Sequence, residues 1–119
     1  MEKPWGSEEV FAETDLYVGK ILTVRAGHAL SLQYHERKDE TMRVLDGSME
    51  LHLGRTPELS SELEVRRMEA GDACRIPPRV VHRVVALTDV RILEVSTPEL
   101  DDVVRMEDRY GRVPPPASS

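Results

Sequence analysis

The 119-residue sequence predicts an all-β fold, built as a sandwich or a barrel, in a single domain. Several short segments alternate apolar and polar residues or are rich in β-branched residues, and turn residues separate them at intervals of about eight to twelve residues. Signals for helix are confined to a region near the C-terminus. Because 39% of the residues are apolar and only 4% are aromatic, the core must consist mainly of Val, Leu, Ile and Met.

The first clear strand signal is at residues 21–24, which are apolar or β-branched and follow a glycine. Residues 48–53 alternate strictly, which puts Met49, Leu51 and Leu53 on one face of a strand. These three side chains are therefore expected to face the core.

Three more strands are predicted further along the chain. Residues 62–66 alternate in the same way as residues 48–53, with Leu63 and Val65 as the apolar positions. Residues 80–85 and 90–95 are two further β-branched runs, and the polar turn at 87–89 separates them.

The C-terminal region carries the one helix signal. Asp101 and Asp102 could begin a short helix near residues 100–108, because acidic side chains are favourable in the first turn. After Arg112 the chain is rich in proline, so residues 113–119 are predicted to be a disordered tail. The domain is expected to span residues 1–112.

The overall charge and the cysteine content exclude several classes of protein. A net charge of −6 argues against a nucleic-acid partner, which would require a basic surface. The sequence has no apolar run long enough to span a bilayer, and no signal-like stretch opens it. Cys74 is the only cysteine, so an intramolecular disulfide cannot form. These features favour the cytoplasm as the location.

Four metal-ligand residues lie in two separate clusters: Gln33, His35, Glu40 and His82. Gln33 and His35 are two residues apart, so on a strand both side chains would emerge from the same face. Met42 and Val44 are two and four residues after Glu40, so on a strand their side chains would share its face. A lone histidine among valines is costly to bury without a partner, and a metal ion would supply one.

Imidazole, amide oxygen and carboxylate together suit a borderline divalent ion. Zinc is the first expectation, with manganese, iron, cobalt and nickel as alternatives. A site with four protein ligands and no thiolate leaves one or two positions open for water or substrate. Such an open position is typical of catalytic or ligand-binding sites.

The two clusters resemble the two sequence motifs of the cupin superfamily. The fixed positions of the first motif are occupied by Gly27, Gln33, His35, Glu40 and Gly47, and those of the second by Gly71, Pro77 and His82. There are three departures, since Gln33 replaces a histidine, Arg79 a glycine and Ala86 an asparagine. The resemblance implies the double-stranded β-helix, which is a jelly-roll barrel.

A closer resemblance is to the cupin domain of type II mannose-6-phosphate isomerases, which in that family follows a guanylyltransferase. Its characteristic segments are matched at residues 3–6, 31–35, 76–83 and 101–112, so the similarity covers roughly residues 3–112. The resemblance implies a metal-dependent isomerase that interconverts an aldose phosphate, such as mannose 6-phosphate, and the ketose phosphate.

The same resemblance suggests roles for three basic residues. Lys20 would act as a catalytic residue, in proton transfer or in stabilising a substrate oxygen. Lys38 and Arg112 would bind the anionic part of the substrate.

One local departure keeps other functions open, because the family typically has His-Trp where this chain has Thr41-Met42. The alternatives are a cupin of another reaction class, such as an epimerase, a lyase or an oxygenase, and a non-catalytic protein that binds a metal or a sugar. Small cupins commonly pair through strand edges, so a homodimer is also expected. The segments at Pro4-Trp5 and at residues 10–12 are the expected interface.

Overall fold

The computed structural model describes residues 1–59, 62–99, 101–108 and 110–111. Their strands are, in chain order, β1 (Glu2–Lys3), β2 (Gly6–Glu13), β3 (Val18–Val24), β4 (Leu32–Tyr34), β5 (Glu40–Asp46), β6 (Ser48–Gly54), β7 (Glu64–Glu69), β8 (Ala73–Ile76), β9 (Val81–Ala86), β10 (Val90–Ser96) and β11 (Val104–Glu107). A short 3-10 turn lies at Pro57–Leu59. No helix of the described chain is long and apolar enough to cross a membrane.

The strands form two antiparallel sheets that pack face to face. One sheet has the order β1-β2-β3-β10-β5-β8, and the other has the order β11-β4-β9-β6-β7. Strands that are far apart in sequence are neighbours in each sheet, as in a jelly roll. The predicted all-β jelly-roll barrel is therefore confirmed.

The core lies between the two sheets and is mostly aliphatic, as the composition predicted. Met49 and Leu51 of β6 are fully buried, and Leu53 packs against the same cluster, which confirms the predicted inward face. Val44 and Ile92 contribute from the opposite sheet. Burial of these side chains supplies most of the driving force for closing the barrel.

The strand predicted at residues 62–66 begins later than expected and presents a different face to the core. β7 runs from Glu64 to Glu69, Val65 is 54% exposed, and Met68 is the buried side chain. Met68 lies opposite Met49 in the register, and this contact sets the orientation of the strand. The predicted alternation was wrong here because tertiary pairing, rather than the local pattern, sets the register of an edge strand.

The predicted helix near residues 100–108 is not confirmed. Residues Val104–Glu107 form β11, which pairs with β4 at the edge of the second sheet. The carboxylate of Asp102 accepts hydrogen bonds from the backbone amides of residues 36–38. It therefore stabilises that loop and does not act as the N-cap of a helix. Pairing with a sheet edge outweighs a weak helix signal. Arg112 and the predicted tail at 113–119 lie outside the described residues.

The turn between β5 and β6 requires a glycine. Gly47 has φ of 84°, and a Cβ at this position would lie 2.1 Å from the carbonyl oxygen of Asp89. Arg79 also adopts a positive φ, 68°, at the motif position that is usually glycine. The turn geometry of the second motif is therefore retained despite the substitution.

The two segments expected at a dimer interface differ in their exposure to solvent. Trp5 is 4% exposed and belongs to the core of its own chain, so it does not offer an interface. Val10 and Phe11 on β2 are exposed, at 46% and 53%. The homodimer stays a prediction, which the molecular mass in solution would test.

Candidate metal centre

Three of the four predicted metal ligands meet inside the barrel. His35 follows β4, Glu40 is the first residue of β5, and His82 is the second residue of β9. All three are buried, and one ligand atom from each lies within 4.8 Å of the others. Two sheets and two distant motifs therefore contribute to one cluster, as parity predicted.

Backbone carbonyls fix the orientation of both imidazole rings. Nδ1 of His35 bonds to the carbonyl oxygen of Asp102, and Nδ1 of His82 bonds to that of Val80 at 3.0 Å. A carbonyl can only accept a hydrogen bond, so the proton of each neutral ring must be on Nδ1. The two Nε2 atoms are then left with free lone pairs, which is the tautomer that metal-binding histidines adopt.

Both Nε2 atoms point at the same carboxylate oxygen. They lie 3.1 Å (His35) and 3.0 Å (His82) from Oε1 of Glu40. Three basic atoms converging in a buried space repel one another unless a proton or a metal cation lies between them. The donor set therefore fits a divalent metal ion.

Glu40 is held ionised at this position. Burial opposes its ionisation, but the close approach of the His35 and His82 imidazoles and the nearby charge of Lys38 outweigh that effect and keep the pKa of Glu40 well below its usual range. A buried carboxylate that stays charged is a suitable anionic ligand.

Gln33 lies on the same wall as this cluster. It is opposite His82 in the pairing of β4 with β9, so the two side chains face the same side of the sheet. Its Oε1 accepts a hydrogen bond from Ser31 at 2.7 Å. Gln33 lines the space that Glu40 and His82 also line, so it is positioned beside the three converging ligands.

A cavity of about 830 Å³ opens next to the cluster. Its wall includes Gln33 and His35 together with the two lysines singled out in the sequence, Lys20 and Lys38. This volume is in the range of small-molecule binding sites. His35 therefore brings the cluster to the wall of this cavity, and Glu40 and His82 line a smaller space of about 30 Å³ that Gln33 also lines.

The two lysines have different surroundings. Nζ of Lys20 is 2.6 Å from Oε1 of Glu8, a carboxylate that it shares with Lys3. Lys38 is buried between two carboxylates, 3.9 Å from Glu40 and 3.6 Å from Glu94. Burial lowers the pKa of Lys38, although the charge of Glu40 opposes this. Both lysines therefore already have anionic partners within the barrel.

Glu94 is a further residue of the cavity wall that was not predicted from the sequence. This residue is on β10, its side chain is 9% exposed, and it lines the cavity beside Lys38. A signal was present, because parity from Val90 and Ile92 puts Glu94 on the inward face. A carboxylate at an inward position of a strand is a site candidate even when no motif includes it.

The Thr41-Met42 departure has a smaller effect than the sequence suggested. Met42 is buried and faces inward beside Glu40, so it forms an apolar floor. Thr41 has the opposite parity and does not line the cavity. A histidine at position 41 would therefore point away from the cavity, and its absence removes no group from the site.

Asp102 fixes the loop between His35 and Glu40. Its carboxylate accepts hydrogen bonds from the amides of Glu36, Arg37 and Lys38 at 2.7–3.0 Å. These bonds outweigh the effect of burial and lower the pKa of Asp102 from its ordinary value of 3.8. The loop geometry that presents His35 and Glu40 therefore depends on this carboxylate.

We expect Asp102→Asn to destabilise the fold by about 1–3 kcal/mol, because the amide can no longer accept all three hydrogen bonds. A depressed pKa stabilises the native state above the unfolded value and loses this effect as pH falls. The difference in unfolding free energy between wild type and variant should therefore be full at pH 7 and shrink below about pH 4. Urea unfolding at several pH values measures this difference in unfolding free energy. A difference that does not change with pH would contradict the proposed role of the Asp102 carboxylate.

Comparison with known proteins gives one family-level match. Residues 1–108 match the family model described as mannose-6-phosphate isomerase C-terminal. Mannose-1-phosphate guanylyltransferase ManC of Salmonella typhimurium is 31% identical over 116 residues, which is 93% of this chain and 22% of that protein. Alginate biosynthesis protein AlgA of Pseudomonas aeruginosa is 29% identical, over 97% of this chain and 23% of that protein. The chain thus spans less than a quarter of the length of these relatives.

Two solved structures of similar fold are chains of comparable length. KdgF from Halomonas sp. has a TM-score of 0.72 and 26% identity, covering 83% of this chain and 85% of that one. A conserved protein of Klebsiella pneumoniae with a double-stranded β-helix domain has a TM-score of 0.73 and 20% identity, covering 91% and 90%. The second similarity concerns the fold alone.

Proposed function

The chain belongs to the mannose-6-phosphate isomerase C-terminal family, and from this premise we propose that it is a metal-dependent sugar-phosphate isomerase of the mannose 6-phosphate type. The observation that carries the proposal is the convergence of both histidine Nε2 atoms on Glu40, in a cluster whose His35, with the neighbouring Gln33, lines a cavity of ligand size. A buried metal-ligand cluster beside an open cavity supports a catalytic rather than a structural site.

The proposed metal ligands are Gln33, His35, Glu40 and His82, with zinc as the first candidate. A divalent ion held there would supply Lewis-acid chemistry, polarising oxygens of the sugar. The hydrogen bonds from each Nδ1 to a backbone carbonyl hold the rings in the ligating orientation before any ion binds.

Isomerisation removes a proton from C2 of the aldose and returns one to C1 of the ketose, so it needs a group that both accepts and donates a proton. We assign this role to Glu94, because it is the buried carboxylate that lines the cavity without belonging to the ligand cluster. Its partner Lys38 holds it in place at 3.6 Å. A carboxylate in such a setting is a common general acid and base.

Lys20 is better suited to stabilising a substrate oxygen than to removing a proton. Its ammonium group is paired with Glu8, and an ammonium has three donors and no lone pair to accept a proton. Lys38 and Arg112 remain proposed as anion-binding residues, although Lys38 already contacts two carboxylates.

The decisive experiment is an aldose–ketose interconversion assay on the purified chain, with mannose 6-phosphate as the first substrate. We expect turnover with zinc or another divalent ion, loss of turnover on chelation, and recovery when the metal is restored. Absence of interconversion with several hexose phosphates and each candidate metal would exclude the isomerase. Tight sugar-phosphate binding without turnover would instead favour a non-catalytic binding protein.

The expected place of action is the cytoplasm, and fractionation of cells that express the protein would test it.

A further inference from the structure

Arg105 of β11 differs from the other basic side chains of the cavity wall. Lys3, Lys20 and Lys38 each lie within 4 Å of a carboxylate oxygen. Within the part of the chain that the structure describes, the Arg105 guanidinium has no ion pair, and its Nε is buried without a hydrogen-bond partner. A buried guanidinium nitrogen without a partner is costly, and a bound ligand at this wall of the cavity would supply one.

The pairing of the strands aims Arg105 at the site. Arg105 lies opposite Gln33 in the β11–β4 register, and Gln33 lies opposite His82 in the β4–β9 register. The three residues form one row across adjacent strands, and cross-strand partners face the same side of a sheet. Neighbouring strands are about 4.8 Å apart, so the backbone of Arg105 is about 10 Å from that of His82. Arg105 lines the same cavity as Gln33 and His35, and its distance from the metal cluster is one that a single hexose phosphate can bridge.

We propose that Arg105 binds the anionic group of the substrate, a phosphate or carboxylate oxyanion, while the other end of the sugar faces the metal cluster. The proposal rests on the proposed function for the location of the substrate. A planar guanidinium can donate two parallel hydrogen bonds to an oxyanion, which a lysine cannot do. Lys20 and Lys38 have their charges matched by Glu8, Glu40 and Glu94, so Arg105 is the basic side chain of this wall with unmatched charge.

Binding measurements by calorimetry on the zinc-loaded protein test the proposal, with four ligands: mannose 6-phosphate, inorganic phosphate, mannuronate and neutral mannose. Arg105→Gln should weaken mannose 6-phosphate binding roughly 10- to 100-fold, which is the size of a lost charge-assisted hydrogen-bond pair, and leave mannose binding unchanged. The affinity of Arg105→Lys for mannose 6-phosphate should lie between that of the wild type and that of Arg105→Gln. The matched control is Arg91→Gln, which removes the same charge from an exposed arginine paired with Asp46.

The ligands also identify the anion. If Arg105→Gln loses affinity tenfold or more for mannose 6-phosphate and inorganic phosphate alone, the site is specific for phosphate. If it loses as much affinity for mannuronate, the site binds oxyanions in general. Arg105→Gln that binds mannose 6-phosphate within twofold of both wild type and Arg91→Gln would overturn the proposal. So would a wild-type protein that binds no anionic ligand more tightly than mannose. The binding measurements do not depend on turnover. If phosphate binding requires Arg105 but the protein does not isomerise the sugar, the proposed isomerase activity is wrong and the anion site at Arg105 is still supported.

Discussion

Replacing His82 with alanine is expected to abolish stoichiometric metal binding. His82 and His35 both direct Nε2 to one oxygen of Glu40, so removing either ring leaves an incomplete cluster. Changes in the residues that merely orient metal ligands typically cost 10- to 100-fold in affinity, and loss of a ligand should cost at least about 100-fold. Elemental analysis of the purified wild type, His35→Ala and His82→Ala gives the metal content of each directly.

His52→Ala is the matched control for this experiment. His52 is on β6 and bonds to Glu50 and Arg83, away from the cluster. Its removal should leave the metal content unchanged. A His82→Ala protein that retained one equivalent of metal would show that the ion is bound elsewhere, and a wild type that took up no metal would refute the metal centre.

Replacing Glu94 with glutamine is expected to reduce kcat by about 10²–10⁴-fold while leaving the metal content unchanged. Glutamine keeps the size of the side chain but cannot accept and return the proton. The proposed metal ligands are on or beside other strands, so the cluster should still form. Two measurements check this: the rate of interconversion, and the exchange of the substrate C2 proton with deuterated water.

Proton exchange separates a chemical role of Glu94 from a structural one. If Glu94 only positioned Lys38, the variant would bind substrate poorly, and exchange at saturating substrate would persist. Glu50→Gln, on β6, makes the same chemical change in a carboxylate that is 38% exposed and should have no effect. Exchange and turnover within a few-fold of wild type in Glu94→Gln would exclude it as the acid–base group.

The strands that the sequence predicted well are those with one buried face. β6 and β10 alternate because one side of each strand packs in the core, and this pattern is visible in the sequence. β2 has no such pattern, since most of its residues are partly or fully exposed, and it forms by pairing with β3. The segment that became β11 was predicted as helix from its leading aspartates, and its strand pairing was missed because its partner, β4, is about 70 residues earlier in the chain.

The sequence by itself predicted the candidate ligand set, because His35, Glu40 and His82 belong to two motifs whose spacing and parity are local properties. Parity with Val90 and Ile92 puts Glu94 on an inward face, but only the tertiary structure identified Glu94 and Arg105 as residues of the cavity. Each is a charged residue in a strand that looks ordinary in sequence, and its importance depends on which strand lies beside it. Arg105 is opposite Gln33, and Glu94 is beside Lys38, through contacts between distant segments. Such pairings are made when the barrel closes, so no local pattern encodes them.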